Sequence, residues 1–311
     1  MRGRLHLFML GGDMTILQHV VIDSNSRGFN NTLQPGDLFG SSLTSLKTQT
    51  VAGGSCLAVG APGTNNTVGA VHVLCLNRGA NITFYSLINA YNQDKINRTY
   101  FGYSLSVTHL QETVVLIASA TGPYLASNAQ SNSTEGTVYL IVLGYDNRVL
   151  GVKEVSSAEL YAHSQDLGIN ITSVSKKLLF LDKLTNMTQS ELNRTTFGVQ
   201  AIPIGDLNGN GVSELVVTLK VWKQRLSFWD SLTALPERTI TILIYLNLDG
   251  SVSQLRYLPE PAELLSANNG TSLWGTSVGA VGDVDGDGMP DIAIGVPRCQ
   301  TTRGPTGCIY I

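Results

Sequence analysis

The chain has 311 residues, 43% of them hydrophobic and 14% charged, with a formal net charge of −3. That is enough chain for a sizeable core in one large or two ordinary domains, and its scattered Lys and Arg leave no basic footprint for nucleic acid. No apolar run approaches the ~20 residues that cross a bilayer, so membrane insertion by this segment is not expected, and the 32 glycines with so few charges point to short strands and many turns.

Taken in chain order, GRLHLFML from Gly3 and MTILQHVVI from Met14 read as two successive strands. The first has two arginines nearby but no small-residue cleavage site, which sets it apart from a signal peptide. Four later stretches then begin alike: LFGSSLTSL from Leu38, YFGYSLSVT from Tyr100, TFGVQAIPI from Thr196 and LWGTSVGAV from Leu273. Each opens with an aromatic residue and Gly, then alternates apolar with small or polar residues, the period of a strand. A second apolar run follows each: CLAVGAP, VVLIASATG, ELVVTL and DIAIGVP. A third strand comes after a loop, in GAVHVLCL, GTVYLIVL, TITILIYL and GCIYI, and in the first three repeats a turn and a fourth strand follow.

The unit is therefore four antiparallel strands, repeated, and the expected fold class is all-β. Residues 1–30 are the last half of a repeat, 37–95, 99–156 and 195–260 are complete repeats, and 272–311 stops after a third strand; 157–194 is an insertion. A sheet of this size buries little alone, and stacking such sheets radially buries their faces, which makes a β-propeller. A β-solenoid is the competing architecture, but it needs shorter and more regular units than spacings of 62, 96 and 77 residues between Phe39, Phe101, Phe197 and Trp274.

Between the first and second strands of the last repeat stands DVDGDGMPD, Asp283 to Asp291. Asp283, Asp285, Asp287 and Asp291 hold positions one, three, five and nine of a tight turn, with the Met289 carbonyl at position seven. Carboxylates at alternate positions converge, and the intervening glycines permit left-handed backbone. Calcium takes six to eight hard oxygen ligands and suits such a set; an acidic solvated turn is the bland alternative. The preceding repeat has DLNGNGVSE, with Asp206, Asn208, Asn210, Val212 and Glu214 at the same positions. Two carboxylates are amides there, so a weaker calcium site or an Asx-rich turn is expected. The corresponding turns of the two earlier repeats are expected to be metal-free. No Glu stands at position twelve of either loop, and strands flank both, so neither is an EF-hand.

The aromatic-Gly opening, the AVGAP or IGVP after the second strand and the DVDGDGMPD between them resemble the FG-GAP repeat. That repeat builds the propeller of integrin α subunits and of other secreted and surface proteins. The resemblance covers nearly the whole chain and is weaker where SATG and VTLK stand in place of the GAP element. It implies a propeller of usually seven blades, of which this chain is an incomplete portion.

Cys56 and Cys75 flank one hairpin and Cys299 and Cys308 another, so two local disulfides are expected, with buried free thiols the alternative. Nine of the 21 asparagines lie in N-x-S/T sequons: Asn30, Asn65, Asn81, Asn97, Asn132, Asn170, Asn186, Asn193 and Asn269. Ordinary Ser and Thr usage gives about one in seven. Both features point to the secretory route and a cell-surface or extracellular location. No catalytic motif occurs, and the five histidines are scattered, so a binding role is expected rather than an enzyme's. In such a meander the cation loops lie at one end and the long insertions at the other. One insertion carries Trp222, Phe228 and Trp229 among basic residues, either as a recognition patch for a protein or glycan partner or as packing for the loop. The expected function is a calcium-stabilised adhesion or recognition propeller. The alternative is an accessory propeller, or part, of a secreted hydrolase of the phospholipase kind.

Overall fold

A computed structural model of the chain describes residues 3–26, 33–49, 54–89, 99–110, 113–122, 136–156, 195–221, 238–261, 264, 273–301 and 304–311. Its strands are β1 (Leu5–Leu10), β2 (Ile16–Ile22), β3 (Ser42–Gln49), β4 (Ser55–Ala61), β5 (Ala70–Leu76), β6 (Ile82–Asn89), β7 (Leu105–Leu110), β8 (Thr113–Ala120), β9 (Thr137–Leu143), β10 (Val149–Ser156), β11 (Thr195–Gly205), β12 (Glu214–Val221), β13 (Arg238–Leu246), β14 (Val252–Leu258), β15 (Ser277–Gly282), β16 (Asp291–Val296), β17 (Gln300–Thr301), β18 (Gly304–Pro305) and β19 (Cys308–Tyr310). They form blades in chain order: β1-β2, then β3-β4-β5-β6, β7-β8-β9-β10 and β11-β12-β13-β14, then β15-β16-β19, with the short hairpin β17-β18 between the last two strands. All the pairings are antiparallel. The chain is thus an all-β propeller arrangement of four blades preceded by a two-stranded one. One feature absent from the strand pattern is a four-residue turn, Thr64–Thr67, wound left-handed at Asn65 (φ 51°) and Asn66 (φ 55°). Asn tolerates that region better than most residues.

The core lies between blades, so the inner sheets are buried on both faces. In β8, Val114, Leu116, Ala118 and Ala120 pack with Ala58, Val71, Val73 and Phe101 of the seam toward the preceding blade. Val115 and Ile117 turn the other way, against Leu215, Val217 and Ile242 of the following blade. Burial on both sides is why this strand reads as an unbroken apolar run rather than an alternation. Two further seams repeat the arrangement, one around Leu5, Ile22, Phe39, Val59 and Leu74, the other around Ile204, Val216, Leu243 and Tyr245 with Val278 and Ile292. The first strands lie innermost and are tied blade to blade. Ser42 donates to the Gly102 carbonyl (2.7 Å), Ser106 to the Ala201 carbonyl (2.6 Å), and the Val278 N–H to the Gln200 side chain (3.1 Å).

The aromatic-Gly opening has a mechanical role at the same seams. Gly3 bridges to Phe39 and Gly69 to Phe101, each glycine opening the third strand of the preceding blade. A Cβ on Gly136 would lie 2.3 Å from the Phe197 carbonyl oxygen, so this seam is equally tight. Where the fourth seam has Thr239 in the glycine's place, its hydroxyl donates to the Trp274 carbonyl. The glycine after the aromatic is constrained in turn: Gly102 has φ +85°, and a Cβ there would sit 2.6 Å from the Ala70 carbonyl oxygen. Only glycine fits both demands.

Both disulfides form. Cys56 faces Cys75 directly across β4 and β5, and Cys299–Cys308 closes the loop that holds β17 and β18. The first is buried at the seam, where Asn147, from the β9–β10 turn of the next blade, directs its amide at both sulfurs (3.3 and 3.4 Å).

Candidate metal centre

The loop from Asp283 to Pro290 joins β15 to β16 and is the turn between first and second strands that the repeat predicts. Its local fold is written by carboxylates accepting backbone N–H groups. Asp283 accepts from Gly286 (2.7 Å), Asp287 (3.1 Å) and Gly288 (2.9 Å). Asp285 accepts from the Asp287 N–H, Asp287 from the Met289 N–H, and Asp291 from the Val284 N–H (2.8 Å). Gly286 (φ +81°) and Gly288 (φ +88°) supply the left-handed steps that close the turn. The result brings oxygens of Asp283, Asp285 and Asp287 within 4.8 Å of one another, all three exposed. Three carboxylates so gathered repel each other in the absence of a counter-charge, and hard oxygens from a short loop are the donor set of an alkaline-earth cation. The cluster is fitted to hold a metal ion. Asp291 lies at its edge, anchored to Val284, and Met289 is exposed beside it.

The loop from Asp206 to Ser213, between β11 and β12, repeats this scaffold bond for bond. Asp206 accepts from Gly209 (2.8 Å), Asn210 (3.1 Å) and Gly211 (2.7 Å), Asn208 from the Asn210 N–H, Asn210 from the Val212 N–H, and Glu214 from the Leu207 N–H (2.6 Å). The Gly211 N–H, with those of Gly209, Asn210 and Asn208, holds the Asp206 carboxyl below the usual carboxylate range. Sequence alone reads the two amides as weaker copies of aspartate. The structure gives each a second task that a carboxylate cannot perform. Asn208 donates to Glu214 (3.0 Å), and Asn210 donates to the Leu246 carbonyl (2.7 Å) at the end of β13. Glu214 is fully buried, and burial pushes its carboxyl up despite the Leu207 N–H, with Asp206 nearby adding to the rise. Asn210→Asp is accordingly expected to cost about 1–3 kcal/mol in chelator, the range for an orphaned buried acceptor. Urea melts against wild type measure it, and an unchanged midpoint would show that the Leu246 bond carries no weight.

A sequence model of the FG-GAP repeat matches residues 274–303, from Trp274 through the Asp283 loop and the second strand. It stands beside three four-stranded sheets and a three-stranded one in the same strand order, each opening on an aromatic-Gly pair. Together they support a partial FG-GAP propeller. A search of curated proteins finds no match.

In this propeller arrangement, the turns between first and second and between third and fourth strands share one end; second strands finish and third strands start at the opposite end. The two acidic loops therefore lie on one face. Of the sequons, Asn65 sits exposed on the left-handed turn of the opposite face and Asn81 exposed in the β5–β6 turn on the loop face; the others fall outside the described residues, as do Trp222, Phe228 and Trp229. The early turns expected to be metal-free also lie partly outside them. One pairing escaped the sequence: His6 and His19, scattered along the chain, meet diagonally across β1 and β2 with their ring nitrogens 3.0 Å apart. The strand register is the signal that finds them.

Proposed function

We propose that this propeller is the recognition portion of an extracellular or cell-surface adhesion protein, that it binds a protein or glycan partner, and that calcium braces it at the Asp283 loop. The observation that carries the reading is the division of the blades into two ends. Short turns and both acidic loops occupy one, while β8, β10 and β12 end and β9, β11 and β13 begin at the other. Long loops raised on a rigid scaffold are where recognition surfaces are built. Calcium suits the loop because four carboxylates supply hard oxygens, with the Met289 carbonyl as a further ligand. The Asp206 loop is the weaker second site, with Asn208, Asn210, the Val212 carbonyl and Glu214 beside Asp206. The disulfides support an oxidising compartment, and no helix among the described residues is long and apolar enough to cross a membrane.

The cation then serves the scaffold and not the partner. EDTA is expected to lower the melting temperature, with calcium restoring it, and Asp285→Asn with Asp287→Asn is expected to remove that response. A melt indifferent to EDTA would exclude a bracing role. A glycan array and a pull-down from extracellular matrix and cell-surface protein, each with and without EDTA, test the recognition role. Capture that survives mild chelation, at a temperature where the fold persists, is the expected result. Absence of any glycan or protein capture by the correctly folded chain would remove it.

A further inference from the structure

We propose that the Asp206 loop positions the cation ligands of the Asp283 loop through a contact between blades, Pro290 against Gly205. The inference rests on the calcium reading of the Asp283 loop and concerns how that site is assembled. A Cβ placed on Gly205 would lie 2.8 Å from Cγ and 3.3 Å from Cβ of Pro290, so the proline ring rests on the glycine backbone with no room between them. Both residues stand beside proposed ligands: Gly205 immediately precedes Asp206, and Pro290 separates the Met289 carbonyl from Asp291.

The two sides of this contact are unequal, which sets the direction of the effect. On the Asp206 side, the loop is held by its own donors. The Gly205 N–H is bonded to the Ser213 hydroxyl (2.9 Å), Glu214 is held by Leu207 and Asn208, and Asn210 is tied to Leu246. The Asn208 and Asn210 amides thus brace this loop before any cation binds. On the Asp283 side, the carboxylates are exposed and, among the described residues, receive backbone N–H groups alone. The more heavily braced loop thus supports the less braced one. Gathering oxygens around an ion costs ordering of the backbone, and a contact that holds two of them beforehand lowers that cost. The proline's fixed φ passes the constraint along the chain without slack. A second link between the same blades, from the Val278 N–H to Gln200, keeps the two first strands in step beneath the contact. Gly282, which precedes Asp283 as Gly205 precedes Asp206, offers the same seat with open space above it.

Calcium titration calorimetry on the whole chain tests the contact by a double-mutant cycle. Asp285→Asn first identifies the tighter site as the Asp283 loop. Gly205→Ala is then expected to weaken that site about tenfold, roughly 1.4 kcal/mol, because the added methyl displaces Pro290 and Asp291 with it. In a Pro290→Ala background the same change should have little effect, since the ring it strikes is gone. Asn208→Ala, which loosens the Asp206 loop without touching Pro290, follows the same pattern and serves if the left-handed Gly205 does not accept alanine; circular dichroism in chelator confirms that each variant folds. Wild-type affinity in both Gly205→Ala and Asn208→Ala, or losses that persist undiminished beside Pro290→Ala, would overturn the proposal. A wild-type chain with no tight site, or with one that Asp285→Asn leaves intact, would instead remove the calcium reading beneath it, and that result is visible before any change at 205, 208 or 290.

Discussion

Phe101→Ala is expected to destabilise the propeller by about 3–5 kcal/mol, the range for emptying a large aromatic from a closed core. Phe101 is fully buried in the seam between the β3–β6 and β7–β10 blades. Its ring meets Tyr139 edge-on, with centroids 5.3 Å apart at 89°. Its N–H is bonded to the Val68 carbonyl of the neighbouring blade (3.0 Å), and its backbone bridges to Gly69. Side chain and main chain therefore serve the same seam, and the surroundings cannot collapse into the void without moving one blade against the other. In a stacked architecture each unit draws its stability from its neighbours, so loosening one seam weakens both blades that share it. Leu150→Ala is the control: Leu150 is 70% exposed, and its loss should stay within about 0.5 kcal/mol. Urea melts of the two variants make the comparison. A Phe101→Ala loss near that of the control would show that the aromatic-Gly pair acts through its glycine alone.

The aromatic-Gly pair also marks how far the sequence could be read. Strand order and the place of the acidic loops were legible because each repeats along the chain: four FG-like openings cannot all be accidents of composition, and the spacing of Asp283, Asp285 and Asp287 announces convergence by itself. Cys56 and Cys75 were readable for a related reason, since equal distances from a hairpin put two residues in register. What stayed hidden depends on contacts between residues far apart in sequence. Pattern shows that Asn208 and Asn210 are amides, but not that their N–H groups are used by Glu214 and Leu246. The role of Asn147 against a disulfide of another blade and the contact of Pro290 with Gly205 have no signature in either local segment. The left-handed turn at Asn65 and Asn66 was missed because asparagine there reads equally well as ordinary loop.

Acidification is expected to cost the fold about 3 kcal/mol at one histidine alone. His72, in β5, is 2% exposed. It lies edge-on to Phe39 at 5.1 Å and within 3.2 Å of the Tyr85 hydroxyl. Burial lowers its imidazole from 6.5 to about 4, because the protonated ring would give up its hydration. The unfolded chain therefore takes up a proton at His72 that the folded chain refuses until the pH is much lower. The contribution is fully present above pH 6.5 and is lost as the pH falls toward 4. Each tenfold difference in proton affinity is worth about 1.4 kcal/mol, which gives the stated figure. Carboxylates also titrate in the lower part of this window, so the comparison must be made against a variant. His72→Gln starts from a lower stability at pH 7.5, but between pH 7.5 and 4.5 it should lose less than wild type. Equal losses in the two proteins would mean that the ring becomes protonated inside the fold, and that the seam beneath Phe39 opens to water more readily than its packing implies.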